Sequence, residues 1–482
     1  MYRFFVILFV SFILKHVSGS EVQTPKIAII GGGIGGASAS HFLSKLFNNN
    51  LKIDLYEANK IGGRLATIKI DDNEYEAGGS IIHSKNKYMQ EFAKLLGIEH
   101  RPTSEQTFGI WDGTEIIFEE SGSQIFTLAK LIYKYGIQPF RLHRYIDSIL
   151  TDFTKIYDLQ DKGQFFTNVT SMLAAMNKEF PELLHVPFKD HLLHLGYGEK
   201  LIDELVSAPL LVDYGQTTNI QSFVGCVTLS AASGNLWAVK GGNKKVPEHL
   251  IYRNGNVNVM PSYVKKIRYT TTNGFPMYEV HYLNEDSIDT IKDHYDIVIL
   301  ATPLTKDQEM QIAFEGIPMD SLKFVGEYHT TVATFVKGDL NPHYFGLEEE
   351  LDTILSCNST TRINSVGKLE TVEGLSNNKL KMWKVFSNAT LPSDVIHSIF
   401  VNVNEVKEIV WKAYPEYSTN VRLDKFKLYD GLYHINAIEW AASAMEMSAI
   451  GGRNVAILAH NEFLKKFVDK PDTHQKAPKV EL

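Results

Sequence analysis

Short apolar runs bounded by glycine or proline alternate with helix-period stretches along this chain. Residues 26–30 (KIAII) form the first apolar run, between Pro25 and a cluster of glycines. Such a run is typical of a strand buried on both faces of a parallel sheet. Residues 37–47 then place apolar side chains at helical spacing, and residues 52–57 (KIDLYE) form a second strand pattern. The start of the chain therefore predicts a strand–helix–strand unit.

From about residue 101 the pattern changes to amphipathic helices. Residues 124–160 carry apolar side chains at helical spacing, with charges on the opposite face. The clearest stripe is Leu142, Ile146, Ile149, Phe153 and Ile156. Residues 172–215 continue as Leu-rich, helical segments. Later patterns predict strands at 258–269, 278–282 and 295–300, and a helix rich in small residues at 440–461.

Composition and charge indicate a globular protein of about two to three domains. The chain has 482 residues, of which 44% are hydrophobic and 22% are charged. Its net charge is −8, and its basic residues are scattered rather than grouped into a patch. These features give no electrostatic basis for binding nucleic acid.

The first 20 residues predict a signal peptide. Arg3 precedes an apolar run, Phe4–Leu14, and small residues follow at 18–20, as signal peptidase requires. Lys15 and His16 interrupt the run before it reaches the roughly 20 apolar residues of a spanning helix. An uncleaved anchor is the alternative. We therefore expect the protein to enter the secretory pathway.

Glycosylation sequons, cysteines and the C-terminal tetrapeptide can be interpreted once entry into the secretory pathway is expected. Glycosylation sequons begin at Asn168, Asn358 and Asn388. The two cysteines, Cys226 and Cys357, could form one disulfide, although Cys226 lies in an apolar run that favours a buried free thiol. The chain ends in Lys-Val-Glu-Leu, which loosely matches an ER-retention tetrapeptide.

The glycine cluster has the spacing of a dinucleotide-binding turn. Gly31 permits a tight turn, Gly33 leaves room for a pyrophosphate, and Gly36 lets the helix pack closely on the strand. The helix N-terminus adds free N–H groups and the positive end of a dipole. Glu57 ends the second strand, where it can accept hydrogen bonds from an adenosine ribose. Together these residues predict a Rossmann-type nucleotide site.

Two further glycine pairs favour a flavin cofactor over a nicotinamide cofactor. They lie in Ile61–Thr67 and Tyr75–Ser80 and contain Gly63 and Gly79. Here the chain can pass close beneath a long cofactor, and Arg64 can offset pyrophosphate charge with forked hydrogen bonds. The arrangement resembles the flavoprotein superfamily of amine oxidases, phytoene desaturases and protoporphyrinogen oxidases. That resemblance implies FAD held non-covalently.

Two distal segments extend the resemblance to that superfamily. Tyr263–Ile267 resembles the strand that contacts adenine, which implies a backbone contact at Val264. Asn436–Ser443, which contains Glu439, resembles the segment that meets the flavin side of the cofactor. It has alanines where the superfamily usually has glycines.

Five segments together resemble the prenylcysteine oxidase family: KIAIIGGGIGGASASHFL, YEANKIGGRLATI, Tyr214–Gln216, Asn235–Asn243 and Leu432–Ser443. The similarity covers nearly the whole mature chain. It implies FAD-dependent oxidation of farnesyl- and geranylgeranylcysteine with O2 and water to a prenyl aldehyde, free cysteine and hydrogen peroxide. Such enzymes act in the catabolism of prenylated proteins, so we expect the lysosome as the destination, with secretion as the alternative.

A prenylcysteine substrate requires an apolar tunnel, which the helices of residues 101–221 could supply, although such helices also form ordinary cores. His83 follows the second glycine pair and could help to deprotonate the attacking water as a catalytic residue. A structural histidine bonded to the backbone is the alternative. We predict no metal site, because the 17 histidines show no ligand spacing.

The resemblance implies an α/β fold, with a Rossmann-type FAD-binding domain in three layers (ββα/βαβ) and an inserted mixed, helix-rich substrate domain. We assign residues 25–100, 222–305 and 430–468 to the FAD-binding domain. Residues 101–221 and 306–429 are assigned to the prenyl-substrate domain. No segment after the signal peptide is apolar enough to span a membrane, and peripheral membrane contact stays open.

Two other functions share these features. A secreted flavin amine or amino-acid oxidase would use the same cofactor fold, and peroxide release on farnesylcysteine rather than on amines would separate the two. A non-catalytic prenyl-binding protein of this fold would bind lipid without redox chemistry, and it would be colourless rather than yellow.

Overall fold

The predicted strand–helix–strand unit forms at the start of the described chain. In the computed structural model, strand Lys26–Ile30 leads through a tight turn into helix Ile34–Leu46. Strand Lys52–Glu57 follows and pairs with the first strand in parallel. Ile27, Ala28 and Ile29 are fully buried. Their burial on both faces explains why the strand reads as a continuous apolar run.

The structure describes residues 24–102, 106–231, 236–272, 275–284, 290–374, 381–420 and 425–467. The predicted signal peptide, the terminal Lys-Val-Glu-Leu and Asn235 of the Asn235–Asn243 segment lie outside these ranges.

The unit lies at the centre of a sheet with nine strands in the described residues, called here the first sheet. Its strands in spatial order are Ile291–Tyr295, Phe275–Asn284, Val257–Thr272, Lys52–Glu57, Lys26–Ile30, Ile297–Leu300, Leu432–His434 and Lys427–Tyr429, with Ala313–Glu315 paired to Val257–Thr272. The strands from Val257–Thr272 to Leu432–His434 run in parallel. The predicted run 295–300 is divided between strands Ile291–Tyr295 and Ile297–Leu300 at Asp296, whose carboxylate accepts the N–H of Lys26.

Helices cover this sheet, namely Ile34–Leu46, Lys87–Leu96, Lys245–Tyr252 and Met445–Phe467. The last of these packs closely on the first, because a Cβ at Gly452 would lie 2.6 Å from the carbonyl oxygen of Gly35. Glu446 caps helix Lys87–Leu96 by accepting the N–H groups of Tyr88 at 2.7 Å and Met89 at 3.0 Å. The small residues read in 440–461 thus serve helix packing, and the helix begins at Met445 rather than at residue 440.

The amphipathic region between residues 124 and 230 is helical, as predicted, but it is divided into short pieces. These are Gln124–Tyr135, Gln138–Phe153, Lys155–Asp161, Val169–Met176, Phe180–Leu183, Phe188–His194, Glu199–Leu201, the π-helical Ile202–Val206, Ser207–Tyr214 and Ser222–Ser230. Leu142, Ile146 and Ile156 of the predicted stripe are buried in the core. Gly136 and Thr154 interrupt what the periodicity suggests is one long helix.

A second sheet has seven strands in the described residues. In spatial order its strands are Phe400–Pro415, Tyr328–Leu340, Met382–Ser387, Ser365–Lys368, Thr353–Ser356, Phe108–Trp111 and Ile116–Glu119. Shorter elements complete the fold: the pairs Thr67–Ile70 with Asn73–Glu76 and Ile82–His83 with Leu236–Trp237, helix Ser393–Ile399, and 3-10 turns at Met319–Ser321, Pro342–Phe345 and Ile435–Trp440.

The α/β class with a Rossmann-type unit is therefore confirmed, and a mixed second region is inserted between its parts. Strands Ala313–Glu315 and Lys427–Tyr429 join the first sheet, although the predicted boundaries place both in the substrate domain. The boundaries themselves stay a prediction.

Candidate functional site

A cavity of about 390 Å³ opens at the carboxyl ends of the central parallel strands. The residues that follow strands Lys26–Ile30, Lys52–Glu57 and Ile297–Leu300 line it. In open α/β sheets this edge is where ligands bind, since the loops there are free to diverge. The cavity is therefore the candidate functional site.

The glycine turn forms one end of this cavity. Gly31 has a φ of +113°, and a Cβ on it would lie 2.5 Å from the carbonyl oxygen of Ala301. A Cβ on Gly36 would collide with the carbonyl oxygen of Gly31, so this glycine serves close packing and does not line the cavity. Gly33 lines the cavity, and a Cβ there would find its nearest atom 3.9 Å away. The turn thus leaves open space where the predicted pyrophosphate requires it.

Two helices begin at the cavity and direct their N-termini towards it. Helix Ile34–Leu46 has no acidic residue in its first turn and no side-chain cap. Ala444, Met445 and Ser448 at the start of helix Met445–Phe467 also line the cavity. The free N–H groups and the dipole of helix Ile34–Leu46 make this end of the site suited to an anion.

Glu57 lies in the wall of the cavity at the end of its strand, as predicted. Its carboxylate accepts the N–H of Gly32 at 2.8 Å and the N–H of Asn59 at 2.8 Å. These bonds orient the side chain next to the glycine turn, where the ribose of a dinucleotide is expected.

Arg64 lies in the cavity wall, and its guanidinium donates hydrogen bonds to a carboxylate of the protein rather than pointing into the cavity. Its two terminal nitrogens bond to both oxygens of Glu439, one of them at 3.1 Å, and Nη1 donates to the carbonyl of Ala413 at 2.7 Å. Burial acts to lower the pKa of Arg64, but the charge and hydrogen bonds of Glu439 outweigh it and raise the pKa above its ordinary value. In this structure Arg64 neutralises a buried carboxylate, and its contact with a pyrophosphate stays a prediction.

Glu439 is the centre of a hydrogen-bonded cluster, and its side chain is only 2% exposed. The hydroxyl of Tyr328 donates to it at 2.8 Å, and Nδ2 of Asn436 donates at 2.9 Å. Burial, and then the charge of Glu439, raise the pKa of Tyr328 well above its ordinary value. The Oδ1 atom of Asn436 is buried and has no hydrogen-bond partner within the described residues. Asn436 lines the cavity, so this oxygen is available to a donor on a bound ligand.

The far wall of the cavity comes from the second sheet. Thr331, Phe386, Trp411 and Tyr414 line it. This differs from the expected tunnel of helices, because no residue of 101–221 in the described chain is among the lining residues. Most of those helices pack instead into the main hydrophobic core.

Asp213 is a half-buried carboxylate that the sequence analysis did not single out. It lies at the C-terminal end of helix Ser207–Tyr214, where the helix dipole disfavours a negative charge. Within the described chain no group donates a hydrogen bond to it, and burial raises the pKa of Asp213 to about 7. Its charge acts on the hydroxyl of Tyr414 in the cavity wall. Nothing in an apolar helix pattern distinguishes such an aspartate from a solvated one.

The structure brings Gly63 and Gly79 to the cavity but not His83 or Val264. His83 lies in strand Ile82–His83, and its Nδ1 accepts the N–H of Lys85 at 3.0 Å. Desolvation, then the charge of Lys85, lowers the pKa of His83. This geometry is that of the structural alternative rather than of a catalytic base at the cavity. Val264 is buried within its strand, beyond the end of the pairing with Lys52–Glu57.

The predicted modification sites differ in exposure. Asn388 is exposed, whereas Asn168 and Asn358 are partly buried. The Oδ1 atom of Asn168 caps helix Val169–Met176, and Nδ2 of Asn358 donates to a backbone carbonyl at 2.8 Å. Both cysteines are free, so the alternative of a disulfide is excluded in this structure. No helix among the described residues is long and apolar enough to cross a membrane.

Comparison with protein families gives two matches. Residues 118–472 match the family model described as prenylcysteine lyase. Residues 29–96 match the model described as NAD(P)-binding Rossmann-like domain. The first match covers the larger part of the chain, including the segment that contains Glu439.

Curated relatives match over nearly the full length. Prenylcysteine oxidase 1 of Rattus norvegicus is 36% identical, over 97% of this chain and 96% of the relative. The Homo sapiens protein of that name is 38% identical, over 92% and 91%. Prenylcysteine oxidase 1-like of Bos taurus is 33% identical, over 98% and 97%.

Solved structures share the fold at low identity. A CLA-producing fatty acid isomerase from P. acnes aligns with a TM-score of 0.62 at 14% identity, over 89% of this chain and 97% of the other. A putrescine oxidase double mutant aligns with a TM-score of 0.57 at 14% identity, over 91% and 100%. These likenesses establish the fold and nothing about the substrate.

Proposed function

This chain belongs to the prenylcysteine lyase family, and from that membership we propose that it is an FAD-dependent thioether oxidase. It cleaves farnesyl- and geranylgeranylcysteine with O2 and water to a prenyl aldehyde, free cysteine and hydrogen peroxide. The observation that carries the proposal is the 33–38% identity to prenylcysteine oxidases along more than nine-tenths of the chain. The amine oxidases among the solved structures share only the fold, so they do not favour the amine oxidase alternative.

The groups around the cavity fit a flavin dinucleotide. Gly33 leaves space beside the start of helix Ile34–Leu46 for a pyrophosphate, and Glu57 can accept hydrogen bonds from a ribose. At the other end, the unpartnered Oδ1 of Asn436 offers an acceptor to a donor on the flavin ring. We assign FAD, bound non-covalently, to these residues.

When bound, the flavin supplies the two-electron oxidation of the carbon next to sulfur. The protein contributes the position of the substrate beside the flavin. Phe386, Trp411 and Tyr414 form an aromatic wall that can hold a prenyl chain against the cavity. The pairing of Arg64 with Glu439 neutralises the charge behind this wall and holds turn Ile435–Trp440 in place. The site thus orients an apolar thioether without presenting it to an unpaired charge.

We further propose a place in the secretory pathway, with the lysosome as the destination, secretion as the alternative and only peripheral contact with membranes. The signal-peptide pattern of residues 1–20 and the sequons support this assignment. Of the three asparagines, Asn388 is the best placed to accept a glycan because its side chain is exposed.

The proposal is tested with the full-length protein purified from secretory expression. It should be yellow, and anaerobic mixing with farnesylcysteine should bleach the flavin absorbance within one turnover. Readmission of O2 should restore the colour and release peroxide. Putrescine serves as the control substrate, and bleaching by putrescine alone would assign an amine oxidase. A yellow protein that no prenylcysteine bleaches would remove the substrate assignment, and a preparation that stays colourless with added FAD would remove the cofactor.

A further inference from the structure

Helix Gln124–Tyr135 presents its apolar side chains to solvent instead of to the core. Tyr133 is 94% exposed, Ile125 is 78% exposed and Phe126 is 67% exposed. Leu128 and Ile132 are also exposed, and only Tyr135 of the helix is buried. An ordinary surface helix has the opposite arrangement, because its apolar stripe is what packs against the protein.

The exposed residues form one continuous face. Positions 125, 128, 129, 132 and 133 follow the i, i+3, i+4, i+7, i+8 spacing that places side chains on one side of a helix. Beyond the helix end at Gly136, Ile137 and Phe140 are exposed as well. We call Ile125, Phe126, Leu128, Ile132, Tyr133, Ile137 and Phe140 the outer apolar face. Soluble monomers rarely expose large side chains in so contiguous a patch.

Polar contacts on the inner side hold the helix in this orientation. Nζ of Lys134 forms an ion pair with Glu204 at 2.7 Å and donates to the carbonyl of Ile117 at 2.6 Å. Nζ of Lys130 donates to the carbonyl of Glu119 at 3.1 Å. Rolling the helix to bury its apolar residues would break these bonds. The exposure is therefore part of the fold.

The sequence stretch that carries the face is basic, in a chain whose net charge is −8. Between Glu120 and Asp147 the sequence contains no acidic residue. The same stretch contains Lys130, Lys134, Arg141, His143 and Arg144, of which all but Lys134 are exposed. Apolar side chains surrounded by basic ones are what an interfacial helix requires on an anionic bilayer, where the apolar residues enter the headgroup region and the cations remain above it.

We propose that the outer apolar face docks this protein on the surface of an anionic membrane. The face gives the peripheral contact proposed above a structural basis, and it stands independently of the proposed reaction. Only the headgroup layer is entered, since a helix of 12 residues is too short to span the bilayer. An enzyme held there would meet substrates whose prenyl chains partition into the same layer.

Vesicle flotation of the full chain tests the proposal. The protein should float with vesicles of phosphatidylcholine and phosphatidylserine at a ratio of about 7:3, and more weakly with pure phosphatidylcholine. The double variant Ile125→Ser, Phe126→Ser should bind at least tenfold more weakly, because two inserted side chains are lost. Val406→Ser with Val410→Ser is the matched control, since these valines are also exposed but lie on strand Phe400–Pro415. The control should float like wild type.

Other readouts separate the competing occupants of the face. Hydroxyl-radical footprinting should label Tyr133 heavily in free protein and weakly on vesicles. Weak labelling in a free monomer would mean that another part of the chain covers the face, and it would overturn the proposal. If wild type forms a dimer and does not bind vesicles, and if the double variant Ile125→Ser, Phe126→Ser is monomeric, the face belongs to a contact with a second copy of the chain. Flavin bleaching in solution should be unchanged in this variant, so loss of docking is distinguishable from failure of the proposed reaction.

Discussion

Replacing Glu439 with glutamine tests whether Arg64 belongs to an internal ion pair or to the binding of an anion. Glutamine keeps the size of the side chain and can still accept from Tyr328, but it loses the charge and one of the two acceptors that Arg64 uses. The arginine would then remain in the cavity wall with an uncompensated charge.

The cost can be worked from the burial of the pair. Removing one partner of a buried ion pair costs about 3–5 kcal/mol, and we take about 3 kcal/mol because Tyr328 and the carbonyl of Ala413 keep their hydrogen bonds. Unfolding entropy of about 2.1 cal/mol/K per residue gives about 1 kcal/mol/K for a chain of 482 residues. The melting temperature should therefore fall by about 3 °C.

Differential scanning fluorimetry on the flavin-free protein measures this shift directly. Asp320→Asn is the control, because Asp320 pairs with Lys323 at the surface, where an ion pair contributes little. It should melt within about 0.5 °C of wild type. If Glu439→Gln also melts like wild type, the pair does not stabilise the fold, and Arg64 is free to serve a bound phosphate.

Three further predictions concern single residues. Gly33→Ala should keep the melting temperature of the flavin-free protein but lose flavin, measured by absorbance after dialysis. Gly36→Ala should lower the melting temperature, because its Cβ would strike the carbonyl of Gly31. Equal behaviour of the two variants would contradict the assignment of Gly33 to cofactor binding and of Gly36 to packing. The folded state raises the pKa of Asp213 to about 7, so between pH 4 and pH 7 the folded protein keeps a proton on Asp213 that the unfolded chain has lost. The contribution of Asp213 to the free energy of unfolding therefore falls by up to about 4 kcal/mol as pH rises from 4 to 7. Asp213→Asn should therefore gain stability relative to wild type as pH increases, and a pH-independent difference in melting temperature would refute the assignment. His83→Gln should keep kcat within about twofold, and a loss of a hundredfold or more in peroxide release would restore His83 as a general base.

The nucleotide-binding half of the fold was predictable because its signals are local. The KIAII strand, the glycine turn and the acidic end of the next strand each carry a physical requirement that few residue types satisfy. The same holds for Gly36, whose packing role follows from spacing alone. The second sheet was not predictable, because the order of its strands depends on pairings between residues 108–119 and 353–415 that no local pattern encodes.

The site was predicted in part for the same reason. Gly33, Glu57 and Arg64 were placed correctly at the cavity, but the partner of Arg64 lies 375 positions away. A long-range ion pair leaves no periodic signal. For helix Gln124–Tyr135 the helical spacing of the apolar residues was predicted correctly, but these residues were expected to line a tunnel or to join a core. The hydrogen bonds of Lys130 and Lys134 instead turn the apolar side outwards, and no periodic pattern encodes them.

The first sheet also has consequences for the order of events during synthesis. Strand Lys26–Ile30 leaves the ribosome early, whereas its neighbour Ile297–Leu300 follows about 270 residues later. The hydrogen-bonded pair Lys26 and Asp296 gives this separation in sequence. At roughly 5–20 residues per second, the nascent strand waits about 14–54 s for that partner. Strand Leu432–His434 and helix Met445–Phe467 are later still. We therefore expect the apolar N-terminal unit to need protection by chaperones during translation, and a chain truncated before residue 297 would lack the strand that completes the centre of its sheet.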